Sequence, residues 1–152
     1  MKIIGLTGGI GSGKSAVLSV FSSFRVPCYE SDNRAKKLMH EDLELIHQIK
    51  ALFGDEIYEN DKLNRSKLAD LVFADKSKLE RLNALVHPRV KKDFQSFVDQ
   101  QDAVYVIKEA AILFETGAAK DCDATILVTA PEKLRTERVM KREKTNAAHI
   151  KS

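Results

Sequence analysis

Tryptophan is missing from the 152 residues, and there are only two cysteines and three prolines. Cys28 and Cys122 stand in unrelated surroundings without metal-ligand spacing, so a zinc cluster and a disulfide framework are excluded. Both read as small buried hydrophobes, which suits a reducing compartment and a cytoplasmic location. No apolar run approaches the roughly 18 residues of a bilayer-crossing helix, so no membrane association is expected. Repeats, low-complexity stretches and flexible linkers are absent as well. Apolar residues make up 43% and charged residues 31%, the balance of an ordinary globular protein with one core and room for a small insertion. The net charge of +3 is mild, and the basic residues lack interleaved aromatics, so no nucleic-acid partner is expected.

The chain opens with one Lys before a short apolar run, but glycines and a Lys-Ser pair stand where a signal peptide would have its cleavage site. The opening is therefore read as a strand and loop. Residues 2–6 do not alternate, as expected of a strand covered on both faces. Val17, Val20, Phe21 and Phe24 recur at helical spacing, and residues 26–29 form a second strand that Pro27 places at an edge. A helical block follows. Leu45, Ile49 and Leu52 share a face before Gly54, and Leu68, Leu71 and Val72 share another. Ser77 with Glu80 reads as a capping box, and Pro88 is expected to end or kink the helix it opens. Strands are expected at 103–107 and 124–129, with Thr129, Pro131 and Glu132 as the cap, first turn and third position of a last helix. This order predicts an α/β fold with a parallel sheet between helices, an α/β/α sandwich carrying an inserted helical domain.

Residues 8–15, Gly-Gly-Ile-Gly-Ser-Gly-Lys-Ser, match the phosphate-loop pattern completely, after a strand and before a helix. Backbone N–H groups of Gly9, Ile10, Gly11, Ser12 and Gly13 can turn inward around a phosphate, and the next helix points its positive end at the same anion. Lys14 can reach the β- and γ-oxygens, and the Ser15 hydroxyl can ligate Mg²⁺. The pattern fits ATP with Mg²⁺. An Asn-Lys-x-Asp guanine motif and a transporter-type Ser-Gly-Gly signature are both missing, which leaves the small-molecule kinases.

Further residues resemble one such family, the dephospho-coenzyme A kinases. Gly5-Leu6-Thr7 before the loop looks like that family's opening, and Glu30-Ser31-Asp32 stands where the family has Asp-x-Asp. Asn64-Arg65, Leu68, Val72-Phe73, Leu82-Asn83 and His87-Pro88 are similar to its substrate-domain signature. Residues 109–115, Glu-Ala-Ala-Ile-Leu-Phe-Glu, resemble its Asp-x-Pro-Leu-Leu-Phe-Glu segment, and Arg138 and Arg142 recur in its lid helix. The resemblance implies transfer of the ATP γ-phosphate to the ribose 3′-hydroxyl of dephospho-coenzyme A, the last step of coenzyme A synthesis. Glu30 and Glu109 each depart from an Asp of the family, keeping the charge with one more methylene. Another nucleoside or nucleotide kinase, or a nucleotide-dependent switch, is the alternative.

On this reading the core is 1–31 with 96–134, the helical substrate domain is 32–95, and 135–152 begins a lid whose remainder is expected beyond Ser152. Asp32 is the candidate general base, with a helix cap as its plain alternative. Glu109 is expected to hold metal-bound water. Thr7, Arg65, His87 and Glu115 are assigned to the acceptor substrate, Arg65 as a fork for its pyrophosphate. Arg138 and Arg142, four apart on one helix face, are expected to close over the triphosphate beside Lys14. His40, His47 and His149 are expected to be solvated. ATP and dephospho-coenzyme A are the expected small-molecule partners, with the chain a monomer or small homo-oligomer.

Overall fold

The structure, a computed structural model, describes residues 1–143, without the side chains of the last two. Two compact units divide the chain: Met1–Ser31 together with the chain from Gln101 onward, and Asp32–Gln100.

The first unit is built on a four-stranded parallel sheet. Its strands are β1 (Lys2–Gly8), β2 (Cys28–Glu30), β5 (Tyr105–Glu109) and β6 (Ala124–Val128), in the order β2-β5-β1-β6. β1 runs buried from Gly5 to Gly8, as its unbroken apolar pattern predicts for a central strand. Leu6, Val106 and Ile107 are fully buried, and Leu113 joins them by packing over Gly5, where a methyl would sit 2.6 Å from its Cδ2. Parallel pairing aligns Leu6 with Glu109 and Glu109 with Glu30, so two carboxylates end neighbouring strands beside β1. Helix α1 (Lys14–Ser23) packs Phe21 edge-on against Tyr105, with ring centroids 6.5 Å apart. β2 lies at one edge, where Pro27 contributes its carbonyl to the Ile107 N–H and loses nothing by lacking a donor. β6 is the other edge strand. Ile126 and Val128 are half-buried there, and Leu127, on the opposite face, is the exposed apolar residue at 58%. Alternation along the strand, not proximity to the edge, decides which residue is wetted.

The second unit is helical: α2 (Ser31–Glu41, entering from the first unit), α3 (Leu43–Phe53), α4 (Arg65–Ala74) and α5 (Lys76–Asp99). Between α3 and α4 a hairpin pairs β3 (Tyr58–Glu59) with β4 (Lys62–Leu63). Asn60 and Asp61 both take positive φ in its two-residue turn, the geometry that matches strand twist. Leu45, Ile49, Ile57, Tyr58, Leu63, Leu68, Leu82 and Val86 form the core. Three helices begin with an acid or amide cap. Asp42 accepts from Leu45 N, Asn64 from Lys67 N and Asp75 from Ser77 N. Ser77 is thus inside α5 and does not cap it, because Asp75 already satisfies its N–H.

Pro88 neither ends nor splits the helix, which continues from Lys76 to Asp99. Both Pro88 and Ala84, whose carbonyl loses its helical donor, are exposed, so water can replace the missing bond. Buried Leu82 and Val86 before it and half-buried Val90 after it hold the two halves to the core. Two arginine forks tie α5 to its neighbours. Arg34 meets Asp93 at 2.7 and 2.9 Å, and Arg89 meets Asp42 at 2.6 and 3.0 Å while also reaching Glu44.

Candidate active site

The phosphate loop leaves β1 at Gly8 and returns to helix at Lys14. Gly11 at φ 73° and Gly13 at φ 98° supply the left-handed turns that direct successive N–H groups inward. Gly13 occupies the cap position of α1, and no side chain caps that helix, so its first N–H groups remain available to an anion. In the same loop the Ser12 hydroxyl is buried, with no partner among the described residues.

Lys14 is half-buried and forms an ion pair with Glu109 at 2.6 Å. Glu109 is 7% exposed at the end of β5. A carboxylate so placed is stable only with a cation beside it, and Lys14 is that cation. Ser15 is exposed on the first turn of α1. Ser15 and Glu109 offer one hydroxyl and one carboxylate on the phosphate side of the sheet. That donor set suits Mg²⁺, which takes few protein ligands and completes its shell with water and phosphate oxygens. No group of three potential metal-ligating side chains exists among the described residues.

Thr7 is buried on β1, and its hydroxyl donates to the Ala111 carbonyl at 3.2 Å. This bond holds the start of the 110–117 loop against β1. In that loop Leu113 is fully buried, whereas Phe114 and Glu115 are exposed. Helix α6 (Glu132–Glu143) follows β6, and the Arg135 N–H bonds to the Pro131 carbonyl. Pro131 therefore takes the cap position expected of Thr129. From α6, Arg138 reaches back to donate to the Gly11 carbonyl at 3.3 Å. The Arg142 side chain lies outside the described residues, as does His149.

Asp32, Arg65 and His87 belong to the helical unit. Asp32 is the second residue of α2, exposed, in the turn where a carboxylate favours the helix dipole. Arg65 is the first residue of α4 after its Asn64 cap, and His87 lies mid-way along α5; both are exposed. At the sheet's rim, burial and then the Glu30 charge push the Cys28 thiol up. Burial, the largest effect, also pushes up the Cys122 thiol against the opposing pull of Lys108, with Asp121 and Asp123 adding to the rise. Neither thiol is activated.

This loop-sheet-helix geometry is that of a phosphate-loop nucleotide binder, and comparison of the whole sequence decides which kind. The sequence profile described as dephospho-CoA kinase matches residues 2–152. The chain belongs to the dephospho-CoA kinase family. A dephospho-CoA kinase of Porphyromonas gingivalis is 42% identical over 147 residues, covering 97% of this chain and 73% of that one. One from Chlorobium chlorochromatii is 40% identical over 148 residues, covering 92% and 70%. A Thermus thermophilus protein of known crystal structure superposes with a TM-score of 0.89 at 35% identity, covering 98% of this chain and 76% of that one. The dephospho-CoA kinase of Campylobacter jejuni shares the fold at 22% identity, with a TM-score of 0.67 and coverage of 98% and 76%. Among the described residues of this family member, no helix is long and apolar enough to cross a membrane.

Arg135 and Asp75 are the residues whose placement the sequence did not indicate. Arg135 is one of five basic residues at 135–144, with Arg138, Lys141, Arg142 and Lys144, and nothing in that run singles it out. Asp75 was masked by the Ser77–Glu80 pattern beside it.

Proposed function

We propose that the chain phosphorylates the ribose 3′-hydroxyl of dephospho-coenzyme A with ATP, completing coenzyme A. The observation that carries this reading is the family match, which runs through the phosphate loop and the helical unit alike. The loop supplies the donor half of the reaction, and the helical unit supplies the acceptor half.

In the proposed mechanism the loop's N–H groups and Lys14 hold the β- and γ-phosphates. Lys14 exchanges its Glu109 partner for phosphate oxygens when the nucleotide enters. Ser15 and Glu109 would hold Mg²⁺, which would neutralise phosphate charge. Asp32 accepts the proton of the 3′-hydroxyl as its oxygen bonds to the γ-phosphorus. The bond from that phosphorus to the bridging oxygen breaks, and ADP leaves with the electron pair. Arg138 and Arg142 close over the transferring group and exclude water, which limits wasteful hydrolysis. Arg65, His87 and Glu115 bind the acceptor, Arg65 at its pyrophosphate. Thr7 contributes by fixing the loop that carries Glu115. The reading also places the enzyme in the cytoplasm, as a monomer or small homo-oligomer acting on these small molecules.

Mass spectrometry after incubation with MgATP and dephospho-coenzyme A tests the reaction, and phosphorus NMR locates the new group. A monophosphorylated product carrying the group on the ribose 3′-oxygen is expected. Unchanged dephospho-coenzyme A in the presence of a nucleotide-binding chain would overturn the assignment.

A further inference from the structure

The first turns of α6 meet the phosphate loop at three points. A methyl on Gly11 would collide with the Arg135 carbonyl oxygen, so backbone of α6 stands directly behind that glycine. A methyl on Gly9 would sit 3.1 Å from the Arg135 Nη1, so the guanidinium lies along the loop. Arg138 then donates to the Gly11 carbonyl from one turn further on. Among the described residues the fully buried Arg135 Nε has no hydrogen-bond partner, and neither does the buried Ser12 hydroxyl within the loop. Two unpaired buried donors at one anion-binding loop are a costly arrangement for a purely structural joint.

We propose that Arg135 is a positioning residue for the donor nucleotide. Its guanidinium braces the loop at Gly9 and adds positive charge beside the phosphate cradle. Its carbonyl, set against Gly11, keeps α6 and therefore Arg138 in register with the loop. Glycine at position 11 is thus required for close approach as well as for its positive φ. The inference rests on the reading that the loop holds the donor's phosphates, and not on the identity of the acceptor.

Calorimetric titration of ADP into the full chain, Arg135→Met and Arg135→Lys tests it. Met keeps the apolar stem and removes the charge; Lys returns the charge without the planar fork. Arg135→Met should weaken ADP binding about tenfold, the effect of losing one charge-assisted contact. The KM for ATP should rise by a similar factor with kcat changed less and the acceptor KM unchanged. Arg135→Lys should recover part of the loss, and the salt dependence of ADP binding should be shallower in the Met variant. If Arg135→Met fails to fold, Arg135→Gln takes its place with the same expectation. Wild-type ADP affinity in the charge-free variant overturns the proposal. So does an equal loss in the Lys and charge-free variants with both KM values raised together, the signature of a structural prop. A chain that binds ADP normally but leaves dephospho-coenzyme A untouched would remove the proposed reaction and leave this test standing.

Discussion

Lys14 and Glu109 form the pair on which the donor site turns, because each stabilises a charge the other would otherwise leave unpaired at the end of the sheet. On the proposed reading, phosphate oxygens compete with Glu109 for the same ammonium. Glu109→Gln should therefore tighten the binding of metal-free ADP while slowing turnover with Mg²⁺ by about 10–100-fold, since a charged acceptor for the metal's water shell is lost. Titration without metal and steady-state kinetics with it would separate the two effects; weaker metal-free binding would show that Lys14 does not exchange partners. Asp32→Asn should lower kcat about 10²–10⁴-fold, with ADP affinity unchanged, if Asp32 takes the acceptor proton. A change confined to KM would remove it from that role. Gly11→Ala faces both a φ of 73° and the Arg135 carbonyl. Backbone strain of about 1–3 kcal/mol is expected in the thermal unfolding of the ligand-free chain, together with loss of ADP binding.

At the level of elements, helix starts depend on caps that sequence pattern alone ranks poorly. Asp75→Ala should cost about 1 kcal/mol in chemical denaturation because the Ser77 N–H loses its acceptor, whereas Ser77→Ala should be nearly silent. Asp42 does two jobs, capping α3 and receiving Arg89. Burial alone would raise its carboxyl. Bonds from Arg89 and the backbone of Leu45, with the Arg89 charge and the Glu44 N–H, outweigh that and hold it below the usual carboxylate range. A carboxyl depressed in the folded state contributes stability above its unfolded pKa and loses it as pH falls through the folded one. Arg89→Met should therefore lower the melting temperature at neutral pH, and the gap should close in acid. A gap that persists in acid would mean that Arg89 acts by packing. Leu45, Ile49 and the Gly54 stop were legible because a long amphipathic face repeats the same information. The Tyr58–Leu63 hairpin was not, because Asn60-Asp61 carries its two positive φ values without the glycine that usually announces such a turn. Pro88 misled because its cost depends on solvent at Ala84 and on buried residues beyond it, neither of which is local.

For the whole molecule, the phosphate loop and the strand that leads into it were readable from fifteen residues, since burial, glycine geometry and charge coincide there. The partnership of Lys14 with Glu109 was not, because parallel register brings together residues 95 positions apart only once the sheet order is known. Choice of acceptor is a property of the full chain, which is why the family match and not the loop carries it. Nucleotide should stabilise the fold by mass action, about 2.7 kcal/mol at a hundred times its Kd, and a flat melting temperature under ADP would mean no functional loop. The most direct test of the central claim is ADP release with MgATP, comparing dephospho-coenzyme A, AMP and adenosine as acceptors. Release that requires dephospho-coenzyme A and collapses in Asp32→Asn is the predicted result. Equal or greater release with AMP or adenosine, or none that depends on dephospho-coenzyme A, would contradict it.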